Sequence, residues 1–459
     1  MLHARRSRTG PVPRARLLLI GCYVLMGLMT SGWLARIPAV RDQLHLSTAT
    51  LGALLLVGSV GALLTVMASG VLVQRIGSRR SLVLSTGVLG AGYALMGIGP
   101  GVGSAAVLAV GIFLNGVGVS LANMVFNLES ARIERAMGRT VIPHFHAGFS
   151  VGAVAGSAGG ALASRLGVSV TAQLTAVAAV AVVWRLASVR GVVLEPAADE
   201  LAAAQRPVAG TSGGRLGSAL SAWTERRTVL IGVVVLAASL SEGSANTWLS
   251  LAVVDGFREP ESMGGVVLGL FVAAMTVVRL LGTRLIDRFG RVVVLRTSGL
   301  VSLVGLLAFG LAPSLPLACL GVVAWGFGAA LAVPIGIAAA SDDPRRAAAR
   351  VALVSTFASG ASIAAPPLLG LAAETMGARH MLLLVVVAMV ASVSVSRQVA
   401  RLRAPLPATV PTVVPAAVPA ARPGPAADLL PVVEPSVVEP SVAGLPTGAA
   451  ALPEPAGSR

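Results

Sequence analysis

Gly70-Val71-Leu72-Val73-Gln74-Arg75-Ile76-Gly77-Ser78-Arg79-Arg80 is a short basic patch set between two apolar runs, 49–73 and 82–98. Each run is of a length that crosses a hydrocarbon core as a helix, so the patch reads as a tight connection between two membrane spans. Glycine allows the chain to reverse there, and the arginines hold the connection at the water boundary.

Working outward, further apolar runs of spanning length lie at 17–37, 104–126, 145–164 and 168–186, and beyond a polar stretch at 229–253, 264–282, 292–311, 315–339, 352–373 and from 381. The expected fold is therefore an all-α membrane protein of twelve transmembrane helices. Composition agrees: 55% of the 459 residues are hydrophobic and 12% charged, too little polar surface for a water-soluble globule. The net charge of +16 is carried by arginines clustered between the runs without interleaved stacking aromatics, which excludes a nucleic-acid partner and leaves a topology signal. Arg75, Arg79, Arg80, Arg132, Arg135, Arg139, Arg226, Arg227, Arg288, Arg291, Arg345 and Arg346 mark one side, while the connection near Asp255, Glu259 and Glu261 is acidic. Both termini are expected in the cytoplasm of a cell with this protein in its plasma membrane. The arginines ahead of Leu17 and the long run behind them read as a signal anchor. Cys22 and Cys319 lie in apolar runs, so neither a disulfide framework nor a metal site is expected, and no cofactor.

The expected organisation is a basic N-terminus (1–16), a six-helix bundle (17–187), a central loop (188–227), a second six-helix bundle (228–396) and a proline-rich tail (397–459). Three landmarks make the bundles a repeat. Trp33-Leu34 matches Trp248-Leu249; Leu72, Gln74, Arg75 and Gly77 match Leu285, Asp287, Arg288 and Gly290; Gly116, Gly118, Leu121 and Ala122 match Gly326, Gly328, Leu331 and Ala332. All three fall at nearly the same offset, as duplication of a six-helix unit requires.

The second landmark resembles the motif of the major facilitator superfamily, Gly-x-Leu-x-Asp-Arg-x-Gly-Arg-Arg, between its second and third helices and echoed between its eighth and ninth. The first copy runs from Gly70 to Arg80, with Gln74 where the family usually has Asp; the echo is Asp287-Arg288-Phe289-Gly290-Arg291. The resemblance covers roughly 17–396. It implies two pseudo-symmetric six-helix bundles around a central cavity, and a gate in which Gly70, Gln74, Arg75, Gly77, Arg79, Asp287, Arg288, Gly290 and Arg291 stabilise the state open to the outside. Physically, the arginines can meet carboxylates or helix C-termini, and the loss of charge at Gln74 weakens the first copy.

Candidate chemistry rests on polar groups at membrane depth. Glu242 stands mid-span in the seventh run, with Asn246 four residues on along the same face. The pair suits a polar substrate or a proton, or else braces another helix. Asn123 and Asn127, four apart in the fourth run, suit hydroxyl-rich ligands or bridge helices. The stretch resembles proton-linked sugar permeases of the superfamily, which have Glu-x-x-x-Asn; here Asn123 replaces the Glu. The tenth-run equivalent of Asn123 is Val333, so the polar feature breaks the repeat. His144 and His146 read as headgroup-facing or as a proton relay, Arg36 and Arg41 as snorkelling anchors, and Trp33 and Trp248 as interfacial aromatics. Gly148, Gly152, Gly156 and Gly160 read as a packing stripe.

No nucleotide-binding or metalloprotease motif occurs, and no soluble region large enough for a catalytic domain, so an enzyme is not expected. The expected function is secondary active transport of a small solute, sugar-like by the resemblance, by a proton-coupled symporter acting as a monomer in lipid. Efflux is the alternative within the fold, although the fifth-helix antiporter motif survives only as glycines. A receptor signalling through the tail is the alternative outside it.

Overall fold

The computed structural model describes residues 10–139, 141–194, 221–343 and 346–400, apart from the side chain of Ala348. Most of the expected central loop (195–220) and of the basic N-terminus, and nearly all of the proline-rich tail, fall outside these residues. The chain is helical: α1 (Pro11–Leu34), α2 (Ile37–Gln43), α3 (Thr48–Gly101), α4 (Ala105–Met137), α5 (Ile142–Arg165), α6 (Val170–Val192), α7 (Arg226–Phe257), α8 (Glu261–Phe289), α9 (Arg291–Leu311), α10 (Leu315–Ala329), α11 (Ala332–Ala340), α12 (Ala347–His380) and α13 (Val385–Ser394). Ser47, Ser104 and Ser169 start α3, α4 and α6 by accepting the backbone N–H three residues on. Among the described residues nine helices are long and apolar enough to cross a membrane.

Three of those nine are interrupted, two of them at a glycine. The 54 residues of α3 include Gly77 at φ 81°, ψ 158°, and Gly377 breaks α12 at φ 78°, ψ 153°. Gly290, between α8 and α9, has φ 77°, ψ 158°. The two motif glycines therefore share one backbone conformation, which only glycine adopts without strain. The second and third apolar runs are the two arms of α3, and the tenth run is split into α10 and α11. α5 is not among the nine because its small residues lower its hydropathy.

The repeat extends into packing. In the first half, Gly111 crosses Gly92, Gly116 meets the Gly58 carbonyl, and Gly118 meets Leu89; in the second, Gly321 crosses Gly305, Gly326 meets the Phe271 carbonyl, and Gly328 meets Ser302. In all six, a Cβ would fall within 3.0 Å of neighbouring backbone. The α5 stripe does the same against α1: a Cβ on Gly152 would lie 1.9 Å from the Val24 carbonyl oxygen. Close approach through small residues is what holds helices together where lipid offers no hydrophobic contrast. Outward-facing Leu17, Met67, Leu166, Leu320 and Val387 are exposed, as lipid contact demands.

The halves meet along α3 against α12 and α5 against α8. At one end, here the Arg36 end, the seam is polar. Arg36 reaches Glu261 at 2.9 Å and Arg41 reaches Asp255 at 2.5 Å, both across the halves. Ser164 also donates to Glu261 at 2.6 Å. These contacts correct the expectation that Arg36 and Arg41 are snorkelling anchors; Arg36 is 3% exposed because three acceptors satisfy it. Trp33 and Trp248 are likewise buried in the core rather than interfacial, since the seam covers the helix ends that carry them.

At the opposite end, the Gly77 end, the described ion pairs remain within one half. Glu129 takes Arg132 at 2.6 Å, Asp342 takes Arg291 at 2.6 Å and Arg227 at 3.2 Å, and Glu225 takes Arg346 at 2.6 Å and Arg350 at 2.7 Å.

Candidate functional site

Glu242, near the middle of α7, is ion-paired. Arg279 of α8 directs Nη2 at both its oxygens, 2.9 Å from Oε1 and 2.8 Å from Oε2. The arginine is held from the other side by the Ala330 carbonyl, 3.3 Å from Nε. That carbonyl is free for a local reason. Its helical donor would be the N–H of residue 334, which is Pro334 and has none, and the helix breaks between α10 and α11. Among the described residues Nη1 of Arg279 has no hydrogen-bond partner, and the arginine and glutamate side chains keep 34% and 23% of their exposure.

The first half faces this pair. Tyr23 of α1 donates to Asn127 Oδ1 at 3.3 Å and lies edge-on to the His146 ring of α5, centroids 5.7 Å apart. His146 stands within electrostatic reach of Arg279. Polar groups thus lie in series from Asn127 through Tyr23 to His146, and the Arg279–Glu242 pair stands across from them, within electrostatic reach of His146 but with no hydrogen bond described to it; together they take in α4, α1, α5, α8 and α7. Asn123, one turn from Asn127, is exposed on the same face. His144 instead turns its Nδ1 to the Val141 carbonyl at 3.3 Å.

Asn246 turns elsewhere. It lines a cavity of about 260 Å³ with Leu55 and Ser59 of α3, Ser239 and Gly243 of α7, and Ser362 of α12. Glu242 is not part of that lining, so the two residues expected to act together serve adjoining parts of the seam. Here too a proline frees an acceptor: Pro366 leaves the Ser362 carbonyl without its helical donor, and Ser59 of the other half donates to it at 3.4 Å.

Of the motif residues, Gly77 and Gly290 make the turns, and Arg291 is ion-paired with Asp342. Gln74, Arg75, Arg79, Asp287 and Arg288 are exposed with no ion pair described among them; Arg288 lies over the Phe289 ring at 5.5 Å. Gly70 sits in helix with open space where a Cβ would point.

Three charges in apolar runs escaped the sequence reading: Arg296, early in the ninth, is exposed, and the other two are partly or fully buried. Arg279 lies near the end of the eighth run, where an arginine passes for a boundary residue. Arg185, near the end of the sixth, is fully buried, and among the described residues none of its guanidinium nitrogens has a hydrogen-bond partner; it lies over the Phe126 ring at 5.2 Å. The available signal was depth: each falls inside the run, ahead of its last apolar residue.

The sequence profile described as Major Facilitator Superfamily matches residues 19–348 and 231–425. A transporter of Sinorhizobium fredii, y4wD, is 31% identical over 353 residues, covering 77% of this chain and 89% of its own length. An MFS-type transporter of Yersinia pestis is 27% identical over 379 residues, covering 81% and 94%. The fold is similar to the crystal structure of the nucleoside transporter NupG, with TM-score 0.64 at 14% identity over 84% of this chain and 98% of that one. It is also similar to FucP, with TM-score 0.56 at 12% identity over 86% and 100%. Those relatives are transporters, not enzymes. With its repeated glycine crossings, its motif turns and a profile match over most of its length, this multi-pass membrane transport protein belongs to the major facilitator superfamily.

Proposed function

We propose that the chain is a proton-coupled secondary transporter of a small hydroxyl-bearing solute, working by alternating access. The observation that carries this reading is the placement of the polar groups from Asn127 to Glu242. They lie between two halves that are tied together by ion pairs at the Arg36 end, while the described pairs at the Gly77 end stay within each half. A solute seated there leaves by one end, and rocking of the halves exchanges ends.

The same reading assigns the halves to residues 17–187 and 228–396 with twelve crossings, the arms of α3 and of broken α12 each counting separately. It puts the Gly77 end, with 1–16, the central loop 188–227 and the tail 397–459, in the cytoplasm, and the protein in the plasma membrane. Asn123, Asn127, Glu242 and Asn246 contact solute or proton. The motif residues Gly70, Gln74, Arg75, Gly77, Arg79, Asp287, Arg288, Gly290 and Arg291 gate the cytoplasmic end, with exposed Arg75, Arg79, Asp287 and Arg288 gaining partners when that end closes. NupG, a nucleoside transporter, and FucP, a fucose:proton symporter, support the hydroxyl-bearing class and the proton.

Proteoliposomes with a trapped pH dye test it. Pools of sugars, nucleosides and hydroxylated acids are applied to wild type and Glu242→Gln, with tracer uptake in parallel. One pool should move tracer and protons in wild type, and Glu242→Gln should lose the proton signal. Absence of tracer movement with every pool, in protein shown to be folded by its melt, overturns the transport reading.

A further inference from the structure

We infer that the solute carries a carboxylate, that this carboxylate displaces Glu242 from Arg279, and that Glu242 takes up a proton as it is displaced. The inference rests on the transport reading above and specifies its substrate class as hydroxylated monocarboxylates.

The argument begins with how Arg279 is used. A guanidinium binds a carboxylate most strongly by two parallel N–H bonds from two nitrogens. Here one nitrogen, Nη2, serves both Glu242 oxygens, Nε is spent on the Ala330 carbonyl, and Nη1 has no described partner. The best edge of the guanidinium, Nη1 with Nη2, is thus half occupied. An incoming carboxylate can bond Nη1 without breaking anything, then complete the fork by taking Nη2 from Glu242. Because Pro334 frees the carbonyl that anchors Nε, Arg279 is positioned independently of Glu242 and stays in place when the glutamate leaves. The partial exposure of both side chains, 34% for Arg279 and 23% for Glu242, gives the anion access.

Charge counting supplies the coupling. Arg279 and Glu242 together are neutral; adding an anion makes the site −1 in a low-dielectric setting, where an unpaired carboxylate is costly. One proton on the Glu242 carboxylate restores neutrality: the O–H bond forms there, the substrate stays ionised on Arg279, and the proton comes from the water that admits the substrate. The other titratable groups facing the site are His146 of α5 and Tyr23 of α1; α11 carries none, and the remaining charged residues of α7 and α12 lie at the helix ends. The loaded site is neutral, so its crossing moves no net charge. The asparagines at 123 and 127 then read the hydroxyls of the same molecule.

The test uses full-length protein in proteoliposomes, with gluconate, galacturonate and glycerate set against glucose, galactose and glycerol. In wild type the acids should carry protons inward at one per anion, at a rate unchanged by an imposed potassium diffusion potential, and the neutral partners should not. Arg279→Gln should lose at least 100-fold in acid affinity and Arg279→Lys about tenfold. Glu242→Gln should bind acids at least tenfold more tightly, lose the pH dependence of binding and still exchange labelled acid. Pro334→Ala, which returns a helical donor to Ala330, should weaken acid binding several-fold. Should Arg279→Gln fail to fold, the lysine and Glu242→Gln variants decide. Neutral sugars moving protons while acids do not would overturn this inference and leave the transport reading intact; loss of acid binding in Glu242→Gln would overturn it as well.

Discussion

Arg36 and Glu261, 2.9 Å apart, come from opposite halves of the chain, and Arg36 holds Gln173 at 2.7 Å and the Val168 carbonyl at 2.9 Å with its remaining nitrogens. The nearby Arg41–Asp255 pair also crosses the seam, but its side chains keep 25% and 32% of their exposure. Burial separates the two as closures of the Arg36 end.

Removing Arg36 leaves Glu261 without its charge partner in a mostly covered site, which costs roughly 3 kcal/mol, about two decades in the balance of conformations. Arg36→Gln should therefore lengthen the distance between spin labels at His45 and Glu259, and Arg41→Gln should change it little, since exposed pairs are worth about 1 kcal/mol or less. Equal effects from the two variants would mean that burial does not rank these contacts.

Gly77 and Gly290 have a backbone that side chains resist irrespective of space, whereas Gly70 is helical, with nothing within 4 Å of the point a methyl group would occupy. Gly77→Ala and Gly290→Ala should each lose about 1–3 kcal/mol, and Gly70→Ala should be neutral or gain up to about 1 kcal/mol. Thermal melts of the three variants in one detergent check the ordering.

Glu225 stands just ahead of α7. Its partial burial disfavours the charge, but hydrogen bonds from Arg350, Thr228 and Arg346 outweigh that and hold its carboxyl down at about 2. A depressed carboxyl stabilises the fold above its unfolded value and loses that contribution as pH falls through the folded one. The melting temperature should decline from roughly pH 4.5 towards pH 2, and Glu225→Gln should be less stable at pH 7 with a shallower decline. Parallel pH profiles for the two proteins would contradict this.

Among the described residues Arg185 has no hydrogen-bond partner for any guanidinium nitrogen, and it lies over the Phe126 face. Replacing a buried charge by an apolar chain of similar length is often neutral or stabilising. Arg185→Met should hold or raise the melting point by up to several degrees, roughly 1–2 kcal/mol; a fall of that size would show that the charge is compensated in the fold.

The spans and the duplication were legible because both are written in residue type and spacing: length of apolar run, arginine at the boundary, glycine at Gly77 and Gly290. The special backbone of those two glycines follows from their identity. What faces what was not legible, because it depends on how each helix is rotated about its axis. Glu242 and Asn246 share a face by periodicity, yet one meets Arg279 and the other lines the α3–α7–α12 cavity. Arg36 carries no mark that distinguishes an anchor from a clasp until Glu261, far along the chain, is brought beside it. Trp33 is buried likewise, and the packing that covers it is not written in its own place along the run.

The Ser362 carbonyl, deprived of its helical donor by Pro366 and met among the described residues by Ser59 of the other half, has a consequence for how the seam can part. Separation of α3 from α12 takes that donor away, and the carbonyl, which borders the cavity lined by Asn246 rather than lipid, then needs water as its partner. Parting of the halves there exchanges a serine donor for a water donor, so Pro366 leaves α12 with a position that can be wetted without breaking a helical hydrogen bond.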